Sequence, residues 1–136
     1  MNSVRAEAVA QARATLNGLK QCKVSMQIKG KDFKVGFRRE GNKHLIADLH
    51  ERNLPIGVND LRRLPRIMGA ARYKASADNA DGKTHMGIRN IVKFHYFRAE
   101  VRGKKFFINV AERKLKRNKK ELFLYSMTDK LKKMKG

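Results

Sequence analysis

An α+β domain, with N-terminal helices packed on an antiparallel β-sheet, is the architecture this sequence predicts, and three observations carry the prediction. Apolar residues recur at helical spacing through residues 3 to 20. They alternate with polar residues at period two through residues 23 to 37, and return in aromatic and β-branched form between about residues 90 and 128. Glycine stands where those strand-like runs must reverse.

The elements follow in order. "SVRAEAVAQARATLNGLK" places Val4, Ala8, Val9, Ala12, Leu16 and Leu19 on one helical face, with Ser3 placed to cap its start and Glu7 in the first turns. "CKVSMQIKGKDFKVGFRRE" sets Val24, Met26 and Ile28 among polar neighbours, turns at Gly30 and resumes at Phe33, Val35 and Phe37, a hairpin with one apolar and one basic face. "NKHLIADLHERN" returns Leu45, Ile46 and Leu49 to helical spacing and ends before Pro55. A further helix is expected from near Asn59 through "DLRRLPRIMGAA", with Pro65 starting, bending or dividing it. "ASADNADGKTH" is small and polar and reads as a loop. Beyond it come strands around an Arg102-Gly103 turn, a basic excursion "ERKLKRNKKE" and a last strand "LFLYSMT". The whole chain, 1–136, is expected to be one domain: a helical part at about 1–20, a core at about 22–129 and a basic tail at about 130–136.

Charge is the anomaly. Thirty-three Lys and Arg against twelve acids leave +21. Such self-repulsion destabilises the compact state and implies a polyanionic partner, with nucleic acid first, because each neutralised phosphate releases counterions. An anionic membrane or an acidic protein satisfies the same count. The 41% apolar content argues for a folded chain over a disordered basic tail. The single cysteine, Cys22, excludes an internal disulfide and reads as buried or incidental, not as a nucleophile or ligand. No apolar run approaches a membrane span, and "MNSVRAEAVAQAR" lacks the apolar segment of a signal peptide. No HExxH, CxxC, carboxylate cluster or GxxxxGK[ST] is present, so neither a metal site nor any cofactor is expected.

The four histidines carry the chemical interest. His95, in "KFHYFRAEV", shares a strand face with Lys93 and Phe97, whereas Arg98 takes the other face unless a bulge intervenes. A half-buried structural histidine is the competing reading. His85 adjoins the polar loop, where catalytic groups commonly sit; a solvated loop histidine explains it nearly as well. Lys43 and His50 lie on one helical face, and His44 is placed for a surface ion pair with Asp48. Regular alternation in "LYSMT" puts Ser126 and Thr128 on one face and Tyr125 on the other.

"DLRRLPRIMGAARYKA", the following loop with His85, "KFHYFRAEVRGKKFFINV" and "LFLYSMTDK", with "GNKHLIADLH" before them, resemble the phage-associated branch of the metal-independent ribonuclease toxin superfamily that includes barnase, EndoU, colicins E5 and D, and RelE. The resemblance covers about residues 30 to 130 and rests on element order and short patches. It implies this superfamily's fold and an endoribonuclease that cleaves RNA by 2′-hydroxyl attack, leaving a 2′,3′-cyclic phosphate. Such chemistry needs a base, an acid and cations around the phosphorane, which imidazole, lysine and arginine can supply. The catalytic candidates are His95, His85, His44, Tyr125 and Thr128. The substrate-binding candidates are Lys43, Lys93, Arg98, Ser126, Lys104 and Lys105. RNA is the expected partner, with an acidic immunity protein as its restraint and no membrane. The expected place of action is cytoplasmic, in the producing or a target cell, with delivery inside a larger phage or secreted protein left open. The competing reading is a noncatalytic, basic RNA- or DNA-binding protein, ribosome-associated or phage structural. In that reading the basic hairpins hold phosphates and aromatics such as Phe94 or Phe107 stack on bases.

Overall fold

The computed structural model describes residues 3–51, 53–79 and 90–129, with side chains from Ala6 onward. Helix α1 spans Ser3–Gly18 and buries Val9, Ala12 and Leu16, the face expected from their spacing. Strands β1 (Lys23–Ile28) and β2 (Lys31–Gly36) pair antiparallel around Lys29 and Gly30. Both turn residues have positive φ, 53° and 83°, the geometry whose twist matches that of the flanking strands. The same device joins β4 (Ile91–Val101) to β5 (Lys104–Lys114), where Arg102 and Gly103 have φ of 52° and 80°. Between the hairpins lie α2 (Arg39–His50), a 3-10 helix (Val58–Arg63), α3 (Leu64–Ala70) and β3 (Arg72–Asp78). Pro65 falls in the first turn of α3, where its missing N–H costs nothing, so of the expected alternatives it starts the helix. A short 3-10 turn at Lys116–Asn118 leads to β6 (Lys120–Thr128).

The fold is α+β. Among the described residues, three α-helices accompany one six-stranded sheet of order β1-β2-β6-β5-β4-β3, curled into a half-barrel whose edge strands β1 and β3 approach each other. Two expectations need correction. Arg72–Asp78 is a strand, although "ASAD" reads as loop: pairing with β4 supplies the hydrogen bonds that its small residues cannot replace by packing. The sheet is also not wholly antiparallel, because β2 and β6 run parallel through Val35 with Leu122 and Gly36 with Phe123.

That brief parallel contact positions the site. It extends over two residue pairs, and α2, which follows β2 in the chain, packs against β6. Gly41 makes the approach possible: a Cβ there would lie 1.9 Å from the Leu124 carbonyl oxygen. Leu45 and Ile46 join the main core, which holds Phe37, Phe97, Phe106 and Ile108 on the helix-covered face of the sheet. His44, one residue earlier, instead packs its ring on Tyr125, which belongs to a smaller cluster on the opposite face with Phe94, Tyr96 and Phe123. Charges lock the junction. Arg113 donates to Glu40 on α2 (2.8 Å) and to Glu121 on β6 (3.1 Å from Nε), and Arg38 also pairs with Glu121. Burial pushes both carboxyls up, but the arginines outweigh it and hold them below their ordinary range.

Candidate active site

Register assigns each candidate side chain to a face. His95 pairs with Val110 and stands beside Phe97 on the main-core side, with Lys93 two positions before it, as strand alternation requires. It is 5% exposed. Its Nδ1 lies 2.6 Å from Ser76 Oγ, which is 2.7 Å from Tyr73 Oη, and its Nε2 lies 2.8 Å from Glu112 Oε1. One direction of donation satisfies the chain: Tyr73 to Ser76, Ser76 to Nδ1, and the Nε2–H tautomer to Glu112. Lys120 Nζ stands 3.4 Å from the other Glu112 oxygen. Burial raises the Glu112 pKa, but the His95 hydrogen bond and the Lys120 charge outweigh it, so the carboxyl is held below its ordinary range. Both imidazole nitrogens are therefore engaged in a buried chain. Lys93 is drawn to Asp78 at 3.7 Å.

The other face groups a different set. A register shift between Asn109 and Val110 makes Tyr125 a bulged residue opposite β5. Simple alternation therefore fails here. Ser126 pairs with Asn109, which pairs with Tyr96, a member of the same cluster as Tyr125; Thr128 lies two residues on, and its row crosses the sheet through Phe107 and Arg98 to Arg72. The separation of Tyr125 from Ser126 and Thr128 that alternation predicts is thus corrected to a shared face. Arg98 is on that face as well.

His44 completes this group. Its ring centroid is 4.8 Å from that of Tyr125, and its Nδ1 is 3.3 Å from Asp48 Oδ2. That ion-pair approach is not aligned as a hydrogen bond: the Nδ1 atom and Asn109 Oδ1 are both buried and have no hydrogen-bond partner among the described residues. Burial, then the nearby Asp48 charge and Tyr96, push the Tyr125 phenol up, so it is neutral and a proton donor around pH 7. Asp48, read from sequence as half of a surface pair, is instead one-sixth exposed and shared between His44 and Tyr125.

A cleft of about 650 Å³ lies at the Arg72 end of the sheet, beside α3. Among the described residues, Arg63, Arg66, Arg72, Arg98, Arg102 and Lys105 line it against Asp60 and Glu100. Asp60, 3% exposed, binds Arg102 at 2.7 Å. Arg72 and Arg98 face each other across β3 and β4, a like-charge cross-strand pair that works against folding. Arg63, Arg66 and Arg72 lie within "DLRRLPRIMGAARYKA" but are not among the substrate-binding candidates, because only chain reversal brings them to Arg98.

The remaining candidates scatter. Lys43 and His50 share a groove between α1 and α2, the shared face their spacing predicts. Lys104 pairs with Asp129 at 3.6 Å, and Lys105 joins the arginine cleft. His85 and the basic tail from Lys130 lie outside the described residues. Among the described residues no three His, Cys, Asp or Glu side chains converge, and no helix is long and apolar enough to cross a membrane. No family model matches the chain, and no match appears among curated proteins or solved structures.

Proposed function

We propose that this chain is a toxin-like endoribonuclease whose proton-transfer groups are His44 and Tyr125, not His95. The observation that carries the reading is the tilted packing of the His44 ring against Tyr125, beside Asp48 and on the face that leads through Ser126 and Asn109 toward Arg98 and Arg72. An imidazole held beside a carboxylate can serve as a general base. A neutral phenol beside it can donate. In this scheme His44 takes the 2′-hydroxyl proton, the 2′-oxygen bonds to phosphorus, the bond to the 5′-oxygen breaks, and Tyr125 protonates that oxygen. The products are a 2′,3′-cyclic phosphate and a free 5′-hydroxyl, and solvent returns the proton from His44 to Tyr125. Arg98, Arg72 and the cleft beyond would hold neighbouring phosphates. The +21 charge suits RNA and also an acidic immunity-type partner that would arrive rapidly by electrostatic steering and cover this face.

Incubation of the chain with total RNA in excess EDTA tests the scheme, with fragment ends analysed. His44→Ala is expected to lower cleavage by about 10²-fold or more, and Tyr125→Phe to lower it comparably, with RNA affinity retained. Cleavage unaffected by either substitution would remove this assignment. The second reading, a noncatalytic nucleic-acid-binding protein, draws on the arginine cleft, which holds phosphates without any chemistry. Intact RNA in a salt-sensitive complex with the unaltered protein would favour it.

A further inference from the structure

Six of the seven phenylalanines fill the interior: Phe33, Phe37, Phe97 and Phe106 pack in or against the main core, and Phe94 and Phe123 belong to the smaller cluster on the opposite face. Phe107 joins neither cluster among the described residues and is half-buried. Strand alternation and register place it on the face opposite the main core, in the row that runs from Thr128 on β6 through Phe107 to Arg98 on β4 and Arg72 on β3. Its neighbours along β5 on that face are Lys105 and Asn109. None of Thr128, Arg98, Lys105 and Asn109 is apolar, and Arg98 and Lys105 are exposed.

A benzyl side chain set among a hydroxyl, an amide and two cations gains little from the protein's own packing and keeps apolar surface in contact with water. The ligand chemistry that suits it is a flat ring with an anion attached: the ring lies on the phenyl face and the anion meets the guanidinium. In a duplex both faces of each base are already covered by its neighbours, so an unpaired base is the one free to stack on a side chain. Arg98 and Lys105 also line the arginine cleft, which carries the cationic track onward from Phe107. We propose that Phe107 is a stacking platform for an unpaired base of single-stranded RNA, with Arg98 on an adjoining phosphate, so that this face selects single strands over duplexes. The inference rests on the reading of this face as an RNA-binding face, not on cleavage.

The chain has no tryptophan, so Phe107→Trp installs a lone fluorescent reporter at the platform. The probe is a 2′-O-methyl oligoadenylate single strand, which offers no 2′-hydroxyl for attack; the controls are an abasic strand of the same length and charge and the corresponding duplex. The base-bearing strand is expected to quench the tryptophan, whereas the abasic strand and the duplex bind, as read by filter retention, and leave it unchanged. Phe107→Leu, which keeps an apolar side chain, is expected to weaken the base-bearing strand about tenfold, within the range of a lost base stack, and to leave both controls as they were. Should Phe107→Leu not fold, the tryptophan titration decides alone. Binding of the base-bearing strand without quenching, or an equal loss for strands with and without bases, would overturn the platform and leave the RNA-binding reading standing. Failure of every strand to bind would overturn both.

Discussion

His44 and His95 are the same side chain in two electrostatic settings. His95 has Ser76 on one nitrogen and Glu112 on the other, inside the main core. Its removal takes one partner from buried Glu112 and one from part-buried Ser76, so His95→Ala is expected to cost about 2–4 kcal/mol of stability. Urea denaturation measures that loss, and cleavage per folded molecule should stay close to that of the unaltered protein. pH acts through this network and through the arginine and glutamate junction. The carboxyls of Glu40, Glu112 and Glu121 are all held below their ordinary range. A depressed carboxyl stabilises fully above its unfolded pKa, about 4.3, and the contribution is lost as pH falls through the lower folded value. The carboxylate contribution to the urea midpoint should therefore be complete above about pH 5 and fall steadily below about 4. Glu112→Gln should make that fall shallower.

Among the elements, α2 is the piece on which the proposed site depends. Its position is set by the short parallel pairing of β2 with β6, by the arginine and glutamate junction, and by Gly41 lying against the Leu124 carbonyl. Gly41→Ala inserts a methyl where backbone stands. About 3 kcal/mol of destabilisation is expected, together with displacement of His44 and loss of cleavage in whatever protein remains folded. Gly18→Ala is the comparison, because nothing lies within 4 Å of a Cβ there. Thermal melting of both variants separates close approach from helix propensity. The β6 bulge shows the limit of reading an element alone. Period two is right for most of "LFLYSMT", but the extra residue opposite Asn109 and Val110 is a property of pairing, visible only with the partner strand in place.

For the protein as a unit, charge is the organising quantity. Arg72 and Arg98 oppose each other in the sheet and line the cleft with Arg63 and Arg66. Their mutual repulsion is tolerable if a polyanion relieves it. The double substitution Arg72→Ala with Arg98→Ala is expected to raise intrinsic stability by a few tenths of a kcal/mol. RNA affinity should fall, and the slope of log affinity against log salt should shrink by about 1.4, near 0.7 for each phosphate that is no longer neutralised. Filter binding across a salt series reads the slope. An unchanged slope would place RNA elsewhere on the surface.

Periodicity, the backbone freedom of glycine and proline, and summed charge are properties of neighbours along the chain. They were enough to define the class of the fold, both hairpin turns, and the core faces of β1 and α1. Folding in three dimensions made Arg72–Asp78 a strand, ran β2 parallel to β6, and put Tyr125 on the face of Ser126. It also sealed His95 between Ser76 and Glu112 and set His44 against Tyr125. Those outcomes rest on strand register and on contacts between residues distant in sequence, and no local pattern encodes which backbone will be the partner.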